Sequence, residues 1–248
     1  MGPALLLLAG GVGVLIGSVG VGGVLLAPAL VMVGALPPNQ AAATSIWAFL
    51  FTGVVGTLAY ARRGSIPWPM VTRLAVGVVP GAVVGARTNA VLPGGAVLVV
   101  LGVLAMLVGV QQLLARREQT PWPDQAREPT LNTVHLMFIG SAVGFGSALT
   151  GTGGPVLLVP VLLALGITPL TAVAASQAVQ LPVVIAASAT YLNAGLTDTR
   201  LGTSLGLAAA AGTVIGAALA PRLHPDLLRR AVALACITAG LLLLLRSA

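Results

Sequence analysis

Residues 17–30 read Gly17-Ser-Val-Gly-Val-Gly-Gly-Val-Leu-Leu-Ala-Pro-Ala-Leu30, and the reading of this stretch decides the fold. Four glycines fall within seven positions, and the apolar run PALLLLAGGVGVLI lies just before them. Glycine costs about 1 kcal/mol against alanine inside a helix, yet it also admits positive φ and close backbone approach. Glycines in the middle of a greasy segment therefore mark a break in a helix or a tight helix contact.

The composition sets the solvent. Of the 248 residues, 57% are hydrophobic and 7% charged, with a mean hydropathy of +1.04. A soluble domain carries roughly 25% charged residues, so this chain lacks the polar residues to cover a water-facing surface. It reads as an integral membrane protein. Every backbone group inside a bilayer must then be satisfied by helices or a closed barrel. Barrel strands alternate polar and apolar over about ten residues, whereas the apolar runs here are longer and do not alternate. The fold class is an all-α membrane bundle.

Eight apolar stretches can be marked, at 4–36, 40–60, 70–86, 94–115, 133–167, 170–192, 201–220 and 226–245. A spanning helix needs about 20 residues, so the first and fifth are too long for one ordinary span, and glycines interrupt both. MGPALLLLAGG has no basic leader region and reads as the first membrane segment. The polar stretch RREQTPWPDQAREPTLN, 116–132, holds three of the five acidic residues and three prolines. It reads as a solvated linker between a first transmembrane repeat, 1–115, and a second, 133–248.

The two halves resemble one another in order. GGVLLAPAL (22–30) matches GGPVLLVPVL (153–162) with one inserted residue. Pro28, Gly34 and Pro37 then match Pro160, Gly166 and Pro169, and AATS (42–45) matches AASQ (174–177). Further on, Tyr60, Gly64, Gly81, Gly85 and Gly109 match Tyr191, Gly195, Gly212, Gly216 and Gly240. The chain reads as a duplicated unit of four hydrophobic segments whose first segment is broken, at GSVGVGG and at GFGSALTGTGG. Gly-interrupted segments at matching places in two halves point to a transporter binding site. For Gly81/Gly85 and Gly212/Gly216 the expectation is different: small-residue helix packing.

The net charge of +7 comes from twelve arginines and no lysine. They lie between apolar runs, where they act as topology signals and not as a nucleic-acid surface. If the broken segments cross once, the arginines divide eight against four between the two sides. If each is re-entrant and the repeats are inverted, they divide nine against three, with 87, 200 and 246 in the minority. Either way the linker is expected on the cytoplasmic side.

The chemistry is defined partly by what is missing. Glu118, Asp124, Glu128, Asp198 and Asp226 all lie in loops or at segment ends. His135 and His224 are at boundaries, Cys236 is alone, and no metal or nucleophile motif occurs. Neither an enzyme nor a cofactor is expected. What remains inside the membrane is neutral and rich in donors. Ser18, Gly20, Gly22 and Gly23 lie at the first break, and Thr44 and Ser45 open the second segment. Thr150, Thr152, Gly153 and Gly154 lie at the second break, with Ser176, Gln177 and Gln180 beyond. A half-helix N-terminus offers free N–H groups and a positive dipole end, which suits an anion. Exposed carbonyls at the opposite end would suit a cation. Thr44, Ser45 and Ser176 can also serve as caps after Pro37, Pro38 and Pro169. Arg87 is the arginine nearest a membrane interior, and snorkelling to the interface accounts for it.

The paired signatures, GVGGVLLAPALVMVGALPPNQAAATS and GTGGPVLLVPVLLALGITPLTAVAASQ, resemble the TauE/SafE family of sulfite exporters, also called sulfite and sulfonate permeases. The resemblance covers essentially the whole chain and departs from symmetry at Gln177, where the first half has serine. It implies a multi-pass transporter of the cytoplasmic membrane that exports sulfite or an organosulfonate, with the two breaks and the Thr44-Ser45 and Ser176-Gln177 pairs as its site. The partners expected are a small anionic substrate and the lipid bilayer; a homodimer is compatible with the sequence. An anion channel, a cation-coupled permease for another small solute and a non-transporting membrane scaffold stay open as alternatives.

Overall fold

The computed structural model describes residues 3–19, 22–114, 132–219 and 225–247. Within them the chain is helical, and no strand is present. The helices are α1 (Pro3–Val19), α2 (Leu26–Met32), α3 (Pro38–Arg62), α4 (Trp68–Val91), α5 (Gly94–Leu114), α6 (Thr133–Thr150), α7 (Pro155–Ala164), α8 (Pro169–Asn193), α9 (Thr199–Leu219) and α10 (Pro225–Ser247). A single 3-10 turn, Gly23–Leu25, leads into α2. The two long apolar stretches are each divided, the first into α1 and α2 and the fifth into α6 and α7. Prolines open α3, α4, α7 and α8 in their first turns, where the missing N–H would have no partner anyway. Among the described residues five helices (α3, α4, α5, α6 and most of α8) are long and apolar enough to cross a bilayer. Side chains such as Leu107, Phe138 and Leu234 are exposed on the outside, as lipid contact requires. The protein is an all-helical integral membrane protein. The expected linker, apart from Asn132, lies outside the described residues; Asn132 caps α6, its side-chain oxygen accepting from Val134 N at 3.4 Å.

The most extensive packing crosses between the halves: α4 lies on α6, α1 on α9, and α5 on α10. Glycine makes the first two contacts close. A Cβ at Gly81 would fall 2.8 Å from Ser141 Cα, and one at Gly85 2.9 Å from Phe145 Cα. Across the other pair, a Cβ at Gly212 would fall 3.0 Å from Val14 N, and one at Gly216 2.8 Å from Val14 Cα. These glycines are the packing contacts expected of them. Ser141 Oγ adds a hydrogen bond to Gly77 O at 3.0 Å.

The residue pairs also fix directions. Gly77, Gly81 and Gly85 meet Met137, Ser141 and Phe145 in rising order, so α4 and α6 run parallel. So do α1 and α9, through Gly10 with Ala208 and Val14 with Gly216, and α3 and α9, through Thr44 with Gly202 and Ala48 with Gly206. Helices α3 and α8 are antiparallel, as Gly53 meets Gln180 and Gly56 meets Gln177. Because α1 and α3 both follow α9, they point the same way, and the short chain between them must return. Helices α6 and α8 likewise finish together, with the Tyr191 hydroxyl donating to Ala148 O at 2.6 Å, and α7 returns between them. The long helices α3 and α8 close with the same turn: Ser65 N bonds Tyr60 O at 3.2 Å, and Leu196 N bonds Tyr191 O at 3.1 Å.

Candidate functional site

The two returning segments bring the breaks together. A Cβ at Gly23 would lie 2.8 Å from Thr152 O, and both Gly23 and Gly153 sit against the Phe49 ring. Gly151, Gly153 and Gly154 have φ of 71°, 80° and 110°, values that a residue with a Cβ adopts only under strain. This is the local reason the sequence places glycine there. The first break is built differently, with Gly22 at φ −126°; it needs glycine because a Cβ there would fall 3.0 Å from Ile16 N.

A cavity of about 10 Å³, room for one water, lies between the breaks, lined by Ile16, Gly23, Phe49, Thr152, Pro155, Val156 and Gln180. It is too small for a polyatomic ion, so an occupied state requires its walls to move apart. Around it the backbone groups divide by position. Four carbonyls near the end of α6 are claimed: Gly146 O by Thr150 Oγ1, Ser147 O by Thr152 N, Ala148 O by Gly151 N and Tyr191 Oη, and Leu149 O by Asn89 Nδ2. The carbonyls of Thr150 to Gly153, in the break itself, take no donor among the described residues. The N–H groups of Gly23, Gly153, Gly154 and Val156 find no acceptor among the described residues. The break thus presents donors at the start of α7 and carbonyls just before it. No cluster of carboxylate, imidazole or thiol groups that could hold a metal occurs among the described residues.

Of the expected site residues, Gly22, Gly23, Thr152, Gly153, Gly154 and Gln180 gather at this centre, with Thr150 bound to Thr152 at 3.1 Å between their hydroxyls. Gln180 Nε2 donates to Phe49 O at 2.9 Å and Thr52 Oγ1 at 3.0 Å, which ties α8 to α3 beside the cavity. Gln177 lies one turn away and lines a second, larger cavity of about 270 Å³ with Ile16, Gly56, Tyr60, Arg63 and Thr213. Ser45 Oγ and Gln177 Oε1 are buried and have no partner among the described residues. Ser176 Oγ donates back to Ala172 O at 2.7 Å within α8. Thr44 stands apart, its hydroxyl accepting from Asp198 N at 3.3 Å at the start of α9. Gly20 and the side chain of Ser18 lie outside the described residues. Sequence reasoning missed Phe49, Thr52 and Ile16. Thr52, a polar residue at the middle of a largely apolar helix, was a signal available for one of them. Arg87 is exposed near the end of α4, bordering an open groove with Asn193.

The sequence model of the family described as "Sulfite exporter TauE/SafE" matches residues 5–243. Among curated proteins the chain is 27% identical over 183 residues to the "Probable membrane transporter protein YunE" of Bacillus subtilis (strain 168), covering 66% of each chain. It is 28% identical over 154 residues to a "Probable membrane transporter protein" of Xylella fastidiosa (strain 9a5c), covering 61% of this chain and 59% of that one. The alignments thus span less than two thirds of these relatives' own lengths. No solved structure matches.

Proposed function

We propose, from the premise that the chain belongs to the sulfite exporter TauE/SafE family, that it is a secondary transporter of a small sulfur oxyanion, sulfite or an organosulfonate. The coarser statement, that it is a membrane transporter and not an enzyme, is what the family and the relatives' names give. The observation that supports the finer one is the set of backbone donors at the start of α7. The N–H groups of Gly153, Gly154 and Val156 have no acceptor among the described residues, and α7 puts the positive end of its dipole behind them. A dry site with N–H groups at a half-helix N-terminus suits negative charge.

The helix directions support inverted repeats. In that arrangement the C-termini of α3, α5 and α9 share one end with the N-termini of α4, α6 and α10. Among the described residues that end holds Arg62, Arg63 and Arg73, and the sequence division for inverted repeats assigns it nine arginines against Arg87, Arg200 and Arg246. The positive-inside rule makes it the cytoplasmic end, with the central linker on that side of the cell membrane. An inside-negative potential then drives an anion outward, which suits export without a coupling carboxylate.

The test is thermal stability of the purified protein with sulfite, sulfate, sulfoacetate, taurine, chloride, and sodium against choline. Binding to the folded state raises stability by RT ln(1 + [L]/Kd). A shift with a sulfur oxyanion, reduced in Gly154→Ala, is expected. A shift with sodium alone overturns the anion reading.

A further inference from the structure

The larger cavity is placed unsymmetrically, and the repeat shows what is missing on the other side. Its lining includes Ile16, Gly17, Tyr60, Arg63, Gln177 and Thr213, and it lies toward the C-terminal end of α3. Carried across the repeat at the spacings given above, Ile16, Gly17, Tyr60 and Gln177 correspond to Ser147, Ala148, Tyr191 and Ser45. The corresponding region sits at the opposite end of the molecule, because α3 and α8 are antiparallel. There the space is filled. Tyr191, Ala148 and Ser45 are wholly buried, whereas Tyr60 and Gly17 are only partly so. The Tyr191 hydroxyl donates to the Ala148 carbonyl at 2.6 Å. No corresponding bond from the Tyr60 hydroxyl to Gly17 O is present, and the two residues are walls of the open cavity.

We propose that this cavity is the substrate's access path at the Arg63 end, and that a matching path at the other end is shut here by the Tyr191 hydroxyl gripping the Ala148 carbonyl. Transport then alternates which tyrosine is engaged. When Tyr191 releases Ala148, Tyr60 closes on Gly17, and the central cavity, which shares Ile16 with the open path, changes the side it faces.

Ser45 Oγ and Ser147 Oγ, the counterparts of two residues that line the open cavity, are buried without partners among the described residues, as is Gln177 Oε1 on the open side, so these oxygens follow the repeat and do not by themselves mark which end is shut. Asn89 reinforces the closed end, with Nδ2 donating to the neighbouring carbonyl of Leu149 at 2.7 Å. The inference rests on the transporter reading and on the repeat, and not on the identity of the anion.

The experiment needs no substrate. Cys236 is the sole cysteine in the sequence, so replacing it leaves a background for single cysteines. Val55→Cys reports the open path, and Ala187→Cys, fully buried near Tyr191, reports the closed one. A membrane-impermeant maleimide is applied to right-side-out and to inverted vesicles. With Tyr191 intact, Val55→Cys labels from the Arg63 side only and Ala187→Cys is protected from both. Adding Tyr191→Phe speeds labelling of Ala187→Cys from the opposite side by about fivefold to tenfold, the ratio expected from one lost hydrogen bond, and slows Val55→Cys. Asn89→Ala acts in the same direction and serves as the reading if the tyrosine variant does not fold. Unchanged protection of Ala187→Cys in a folded variant, or labelling of Val55→Cys from both sides, overturns the proposal. Anion binding in the thermal panel is scored separately, so loss of the anion reading and loss of the alternation are told apart.

Discussion

The sharpest structural prediction concerns Gly81. In the present packing, an added methyl would lie 2.8 Å from Ser141 Cα and 2.9 Å from Ser141 C. Ordinary carbon–carbon contact is about 3.5–4.0 Å. The obstacle is backbone, so no rotamer change can relieve it, and α4 and α6 must separate by about 1 Å. Overpacking of this kind costs about 1–3 kcal/mol. Separation also stretches the Ser141 Oγ to Gly77 O bond, 3.0 Å at present, and interhelical bonds in membranes average about 0.6 kcal/mol. Gly81→Ala should therefore destabilise by about 2–3 kcal/mol. At about 2–4 °C per kcal/mol for a chain of this size, the melting temperature in detergent falls by roughly 4–12 °C. Gly11→Ala is the control: it lies within α1, and a Cβ there meets nothing within 4 Å. Helix propensity alone should then hold or raise stability, by up to about 1 kcal/mol. Equal melting temperatures for the two variants would refute the close parallel contact of α4 with α6.

Other expectations follow from the centre. Gln180→Ala removes two bonds from α8 to α3 and should cost about 1–2 kcal/mol, read by thermal unfolding, with sulfite flux into liposomes falling as well. Gly154→Ala forces a side chain to φ 110° and should cost about 1–3 kcal/mol together with anion binding. Gly166→Ala, at φ 80° with open space around it, should cost stability alone, so the pair separates strain from site. Thr44→Ala should leave anion affinity unchanged, because that hydroxyl serves Asp198 N; Thr152→Val, at the cavity wall, should weaken it. A binding assay in which Thr44 mattered and Thr152 did not would relocate the site.

What the residues disclosed, and what they did not, has a physical basis. Bilayer residence and the broken first and fifth segments were legible because lipid demands hydrophobicity and a break in a helix demands glycine. The packing role of Gly81 and Gly212 was legible because only glycine permits backbone contact. Which helix each glycine touches was not, since an apolar side chain suits lipid and a neighbouring helix equally. The partner of Gln180 was hidden for another reason. Phe49 contributes a carbonyl, and a carbonyl has no residue signature. Thr44 looked like Thr152 in sequence, a hydroxyl near a turn, and only the approach of α9 separated their roles.

The parallel glycine contacts carry one more consequence. Helix α1 is fastened backbone to backbone on α9, and α4 on α6, so each half of the gene product lends its opening helix to the other. The sequence repeat is therefore not a mechanical unit. The rigid pieces are hybrids, each stitched from both ends of the polypeptide, and a half-length chain would leave its glycine ridges facing lipid with nothing to grip. Two halves expressed as separate polypeptides should accumulate only when made together, and whatever slides or tilts should do so between hybrids and not between the N-terminal and C-terminal halves.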